Sequence, residues 1–243
     1  ICGMQAVRGC VTLKTMTTQR ANSSKHISHN SECSGSLTRL VWPGIGWLAL
    51  SGVVIRTVSG HADGILAIDP AGDGFIYARI ISDSLTPVIR VVTKAASAVT
   101  LITIAAVMLV VTSLRHRPRV GIAVALNLAF IAGINEIFKM IMQRPRPNVP
   151  RLAVENGYSF PSGHAMASTA FYGFLIYLTY RYVHNRAAKW VIIVLLALLV
   201  PTIMFTRVYL GVHYVSDVLA GCLCSIAWLT LVWVPIMKHT LLK

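Results

Sequence analysis

The sequence predicts an all-α, polytopic membrane protein: six transmembrane helices in one bundle, with both termini in the cytoplasm. Three observations lead there. Of 243 residues, 55% are hydrophobic and 12% charged, about half the charged share of an average soluble domain, and mean hydropathy is +0.66. Six apolar stretches, at about 40–58, 96–114, 120–142, 163–182, 189–208 and 216–237, approach the ~20 residues a helix needs to cross roughly 30 Å of hydrocarbon. Helices satisfy their own backbone there. The basic residues are also lopsided. Arg115, Arg117, Arg119, Arg181, Arg186, Lys189, Lys238, Lys243 and five residues ahead of the first stretch (Arg8, Lys14, Arg20, Lys25, Arg39) fall on one side of such a bundle. In the 56–95 loop, on the other side, four basic residues are balanced by Asp63, Asp69, Asp73 and Asp83. The positive-inside rule makes the richer side cytoplasmic.

Residues 1–38 are basic, Ser/Thr-rich and without apolar periodicity, so a disordered tail is expected. The chain starts at Ile1, which makes the residues ahead of Met4 or Met16 candidates for vector sequence or a mis-assigned start. A cleavable signal peptide of the usual form is not evident, and the first apolar stretch is expected to remain as a helix of the 39–243 membrane domain. Asp69-Pro70 suits the start of a short helix over 70–85, with Phe75, Ile76, Ile80 and Ile81 as an apolar stripe. Such a helix lies on the membrane or packs on its own protein. Cys2, Cys10 and Cys33 are in the tail. Cys222 and Cys224, two apart on a helix, point in different directions and read as small apolar residues.

Three motif pieces fall at helix ends that alternating crossings place together. Lys139-x6-Arg146-Pro147 closes the third stretch, which Pro145 and Pro147 stop. Arg144 and Arg151 lie beside it, and Glu136 suits a pair with Lys139. A polar outer loop to Phe160 follows. Pro161-Ser162-Gly163-His164 then opens the fourth stretch, where free N–H groups and the helix dipole attract an anion. Alone, this tetrapeptide is equally an ordinary N-cap. Arg207-x5-His213-x3-Asp217 spans the end of the fifth stretch and the start of the sixth. His213 and Asp217, four apart at the start of the sixth helix, are expected to share one helical face, where the carboxylate orients the imidazole. Alone, such a pair is more simply a capping ion pair. The other six histidines read as solvated tail or loop residues.

Together these groups have the chemistry of a phosphate site. Lys139, Arg146 and Arg207 neutralise non-bridging oxygens, with Ser162 and the Gly163 N–H completing the cradle. His213, oriented by Asp217, is the candidate nucleophile and His164 the candidate general acid and base. Acids are too few there for a Mg2+ or Zn2+ cluster, so no metal and no cofactor are expected. Although the net charge is +14, topology and this anion site account for it without nucleic acid.

The three pieces resemble the signature of the type 2 phosphatidic acid phosphatase superfamily, Lys-x6-Arg-Pro, Pro-Ser-Gly-His and Ser-Arg-x5-His-x3-Asp. The runs Tyr158 to His164 and Arg207 to His213 are similar to its bacterial membrane members, among them phosphatidylglycerophosphate phosphatases and undecaprenyl pyrophosphate phosphatases. One departure is Thr206 in place of serine, which keeps the hydroxyl. The resemblance implies a six-helix core over about 40–237, a metal-independent phosphohistidine mechanism, and a site on the outer, periplasmic or extracellular, face of the cell membrane. It implies a lipid phosphate or diphosphate substrate among membrane lipids: undecaprenyl diphosphate, phosphatidylglycerophosphate or phosphatidic acid. It also places the 70–85 segment near the substrate's way in. Transfer to a sugar or lipid hydroxyl is the alternative reaction. A non-catalytic transporter or scaffold should have lost a motif residue, and none is lost. A soluble vanadium-dependent haloperoxidase does not fit six membrane-length stretches. The sequence specifies no oligomeric state.

Overall fold

The computed structural model describes residues 68–240, with isolated helical positions at 45, 46, 49 and 52. The tail, its cysteines and most of the 40–58 stretch therefore lie outside the described residues. Among those described, every regular element is helical. Two short helices come first, α1 (Ile68–Arg79) and α2 (Leu85–Thr93), the latter running into a 3-10 turn at Lys94–Ala96. Then come α3 (Ala98–Leu114), α4 (Pro118–Met142), α5 (Gly163–Tyr182), α6 (Arg186–Tyr209), α7 (Val215–Ala227), a π-helical turn (Trp228–Trp233) and α8 (Val234–Thr240).

Helices begin and end where local chemistry directs. Ser97 caps α3, its hydroxyl accepting from Thr100 N at 3.2 Å, and the chain bends by 44° there. The stretch expected from 96 thus begins at 98, and the 56–95 loop contains two helices. Pro118 sits in the first turn of α4, where a missing N–H costs nothing. Asn185 caps α6 through Ala188 N at 2.9 Å. Pro201 lies inside α6 without ending it.

Length and apolarity mark three described helices as able to cross a membrane, α4, α6 and the continuous Val215–Lys238. Counted as one span, the bent pair Leu85–Ala96 and Ala98–Leu114 makes a fourth. Of the six stretches expected, most of the first lies outside the described residues, and the other one not among these is α5. It packs against α4, α6 and α7 and buries Ser168, Thr169, Tyr172 and Phe174 around its circumference. A helix wrapped in protein needs less apolarity than one facing lipid.

The π-helical turn adds a residue per turn and brings Trp228 and Trp233 into a stack at 5.7 Å. Trp228 Nε1 donates to Asn127 Oδ1 at 2.9 Å, and Asn127 Nδ2 donates to Ala170 O at 2.8 Å. These bonds pin α4, α5 and the α7–α8 helix together far from the polar end. At that end, the termini of α4 and α6 meet the starts of α5 and α7. Ser162 N donates to Asp217 O at 3.2 Å and Leu152 N to Leu210 O at 3.0 Å.

Candidate active site

All eight residues singled out from the sequence lie at this one end. Lys139, in the last turn of α4, pairs with Glu136 at 2.9 Å, as the sequence suggested. Gln143, left-handed at φ 44°, ends α4 ahead of the two prolines. Lys139, Gly163, His164, Asn135 and Glu155 line one cavity of about 330 Å³. Its walls become apolar between α3, α4 and α5, at Leu101, Ile102, Leu128 and Ile131.

Ser162 is fully buried and caps α5, its hydroxyl accepting from Ala165 N at 3.5 Å. The ordinary N-cap reading therefore holds for its side chain. Arg146 straps the outer loop onto the α6–α7 turn. It donates to Val212 O at 2.8 Å, Asn156 O at 2.9 Å and Gly157 O at 3.1 Å, and its Nη1 lies 3.4 Å from His213 Nε2. Arg207 is only 2% exposed. Its Nη1 donates to Thr93 Oγ1 at 3.0 Å and its Nη2 is paired with the Glu155 carboxylate. The Arg207 Nε is buried with no hydrogen-bond partner. A buried unpaired donor costs about 1–3 kcal/mol. Thr206 turns its hydroxyl back to Ile203 O at 2.6 Å, away from this cluster.

His213 and Asp217 lie side by side, but not on one helical face. His213 is not helical: Tyr214 is the N-cap of α7, so the four-residue spacing does not stack the two side chains. His213 Nδ1 is 2.7 Å from Ser159 O and 3.6 Å from Asp217 Oδ2. Ser159 O and the Asp217 carboxylate both face Nδ1 as acceptors, so both favour the Nδ1–H tautomer, with Nε2 as the nitrogen that carries the lone pair. Asp217 is also a buried hub. It accepts from Arg144 Nη1 at 2.5 Å, from Tyr214 N at 3.0 Å and from the Ser159 hydroxyl.

Charge shifts outside the helices follow from this packing. Burial holds the His213 imidazole below its ordinary value, against the pull of Asp217. For Glu155, burial alone would raise the carboxyl, but the Arg207 guanidinium outweighs it and the net shift is down. Burial likewise lowers Arg146. Arg144 is raised, because Asp217 and Asp69 outweigh its burial.

Three contributors escaped the sequence reading, Asp69, Ser159 and Glu155, and Arg144 entered it only as a cation beside the first motif piece. A signal existed for Glu155 and Asp69. The chain has only eight acidic residues, so each one near a cation cluster calls for a partner. Among the described residues, no three His, Cys, Asp or Glu side chains are placed to hold a metal ion.

The family model of the PAP2 superfamily matches residues 119–240. Phosphatidylglycerophosphatase B of Bacillus subtilis is 33% identical over 89 residues, 36% of this chain and 44% of that protein. Decaprenylphosphoryl-5-phosphoribose phosphatase of Mycolicibacterium smegmatis is 33% identical over 111 residues, 44% of this chain and 54% of that protein. The match thus spans about half the length of these relatives. A crystal structure of a transmembrane PAP2-type phosphatidylglycerolphosphate phosphatase from Bacillus subtilis superposes with a TM-score of 0.74 at 21% identity, covering 82% of this chain and 98% of that one.

Proposed function

The chain belongs to the PAP2 superfamily, and from that premise we propose that it is an integral membrane phosphatase removing the terminal phosphate of a lipid phosphate or diphosphate. The observation that carries this reading is Arg207, a buried guanidinium with an unpaired Nε. It is linked through Glu155 to a cavity whose polar end carries Lys139, His164, Glu136 and Glu155 and whose other end is apolar. A phosphate takes the polar end, and a hydrocarbon tail leaves between α3, α4 and α5. The relatives named above are phosphatases of phosphatidylglycerophosphate and of decaprenylphosphoryl-5-phosphoribose, and the phosphate is what such substrates share. Undecaprenyl diphosphate, phosphatidylglycerophosphate and phosphatidic acid are accordingly the substrates to test.

In this mechanism Lys139, Arg146 and Arg207 draw charge from the non-bridging oxygens, and the Gly163 N–H at the head of α5 adds a donor. His213 Nε2 attacks phosphorus in line, forming an N–P bond as the P–O bond to the lipid breaks. His164 protonates the departing oxygen. It then takes a proton from water, whose oxygen bonds to phosphorus as the N–P bond breaks, releasing phosphate and restoring His213. Asp217 stabilises the transient charge on His213 from 3.6 Å. The basic residues on the opposite side argue for this end facing the outer side of the cell membrane.

The test is phosphate release in EDTA from those three lipids and a soluble phosphomonoester. Release that persists in EDTA is expected, ranked by substrate. A phosphorylated acceptor with little free phosphate would point to transfer instead, and no turnover of any lipid by folded protein would overturn the reading. The pH profile gives a second expectation. Since burial lowers the His213 value, the imidazole is free at neutral pH and is lost as pH falls through that lowered value. The acid limb of kcat/KM is therefore expected below about pH 6.5, the ordinary imidazole value. A limb centred above it would mean that burial does not govern this group.

A further inference from the structure

Asp69 lies outside the three motif pieces, yet its carboxylate is 3% exposed and fully engaged at the polar end. Its Oδ1 accepts from Ser216 N at 2.8 Å, and its Oδ2 from Ser216 Oγ at 2.7 Å and Arg144 Nη2 at 2.8 Å. It therefore does not cap α1, as the sequence suggested, but reaches away from its own helix. Arg144 divides its fork between two carboxylates. One arm goes to Asp69, and the other to Asp217 at 2.5 Å and Ser216 Oγ at 2.8 Å. The Tyr214 ring covers the guanidinium at 3.9 Å.

The contacts of α1 lead to the same place. A Cβ on Gly72 would come within 2.6 Å of Val215 Cγ2. Gly211, at φ +68°, has no room for a side chain because the Tyr77 hydroxyl occupies the space. Three points along α1, at Asp69, Gly72 and Tyr77, thus bear on the 211–216 turn that carries His213. From Asp69 the bonds run through Arg144 to Asp217, from Asp217 to the Ser159 hydroxyl, and from Ser159 O to His213 Nδ1.

We propose that Asp69 is a positioning residue for His213, holding the Arg144–Asp217 pair and Ser216 in register from a helix outside the motifs. It supplies the second carboxylate that keeps the Arg144 fork fixed. Without it the guanidinium pivots on Asp217, and Ser159 loses the fixed acceptor that aims its carbonyl. Small misplacements of a nucleophile are costly, about 10²-fold for 1 Å. The proposal rests on the phosphatase reading for its kinetic arm only.

The experiment compares wild type, Asp69→Asn, Asp69→Ala, Arg144→Gln and Asp69→Asn/Arg144→Gln in detergent, using p-nitrophenyl phosphate. For the Asp69 variants kcat is expected to fall about 10–100-fold, the range for groups that orient metal-ligating histidines, with KM within about twofold. The double variant should be no slower than Arg144→Gln, since both lesions break one chain of bonds. Nitrogen-15 NMR of the histidine rings, with His213 assigned from its own substitution, reads geometry without turnover. The Nδ1–H form should dominate in wild type and give way to a mixture in Asp69→Asn. Thermal melting separates these effects from unfolding. If Asp69→Ala does not fold, the isosteric Asp69→Asn and Ser216→Ala carry the comparison. Unchanged kcat and ring resonances in folded Asp69→Asn, or lesions that multiply, would overturn the proposal. A wild type inactive on p-nitrophenyl phosphate and on all three lipids, with the expected ring change, would overturn the phosphatase reading and leave Asp69 its role.

Discussion

Turnover is expected to fall by on the order of 10⁴-fold or more in His213→Ala, and covalent labelling of the protein to vanish with it. Removing a nucleophile from a catalytic unit costs most of what the unit provides. His213 is suited to that part because its Nδ1–H is held by Ser159 O at 2.7 Å, leaving Nε2 as a lone pair 3.4 Å from Arg146 Nη1. The Arg146 charge beside that nitrogen favours the phosphorylated ring over the free one. Rapid acid quench with phosphate-labelled substrate makes the check. Label should appear on wild type and be absent from His213→Ala, whereas His164→Ala should accumulate it if it attacks at all. Label on protein lacking His213 would assign the nucleophile elsewhere.

The second large effect is expected at Arg207. Arg207→Ala should lower kcat/KM by about 10³–10⁵-fold, the range for an arginine that steadies a phosphoryl group in transfer. Arg207→Lys should retain part of this, because it keeps the charge and loses the planar fork. The alanine variant also strands Glu155 and should destabilise the fold by roughly 1–3 kcal/mol, less than a fully buried pair because the Glu155 side chain is 31% exposed. Arg207→Ala/Glu155→Gln separates the two consequences. Melting temperature should recover in the double variant and activity should not. If activity recovered as well, Arg207 would be a structural partner of Glu155 and the phosphate site would lie elsewhere.

Much of the fold is legible in the chain, for identifiable reasons. Prolines at 145 and 147, the Ser162 cap and the basic clusters at 115–119 and 181–189 set helix ends to within a few residues of those observed. Apolarity was a weaker guide to position. It put α5 on the same footing as its neighbours, although α5 is enclosed by them and carries polar residues as a result. The bend at Ser97 was hidden because a cap inside a long apolar stretch alters direction without altering composition.

The site divides along the same line. Residue type and spacing were enough to identify eight groups and bring them to one end of the bundle, since charge, proline and apolar length are properties of the chain. Which atom meets which was settled by packing. His213 and Asp217 come within 3.6 Å although only Asp217 is helical. Packing adds the carbonyl of Ser159 as the nearer partner of His213, and Arg144, Tyr214 and Ser159 as partners of Asp217. Asp69 reaches Ser216 across 147 residues, and no local pattern encodes a bond at that separation. Hydrogen bonds are directional to within a few tenths of an ångström. Their partners follow from how helices seat against one another, which depends on the whole chain at once.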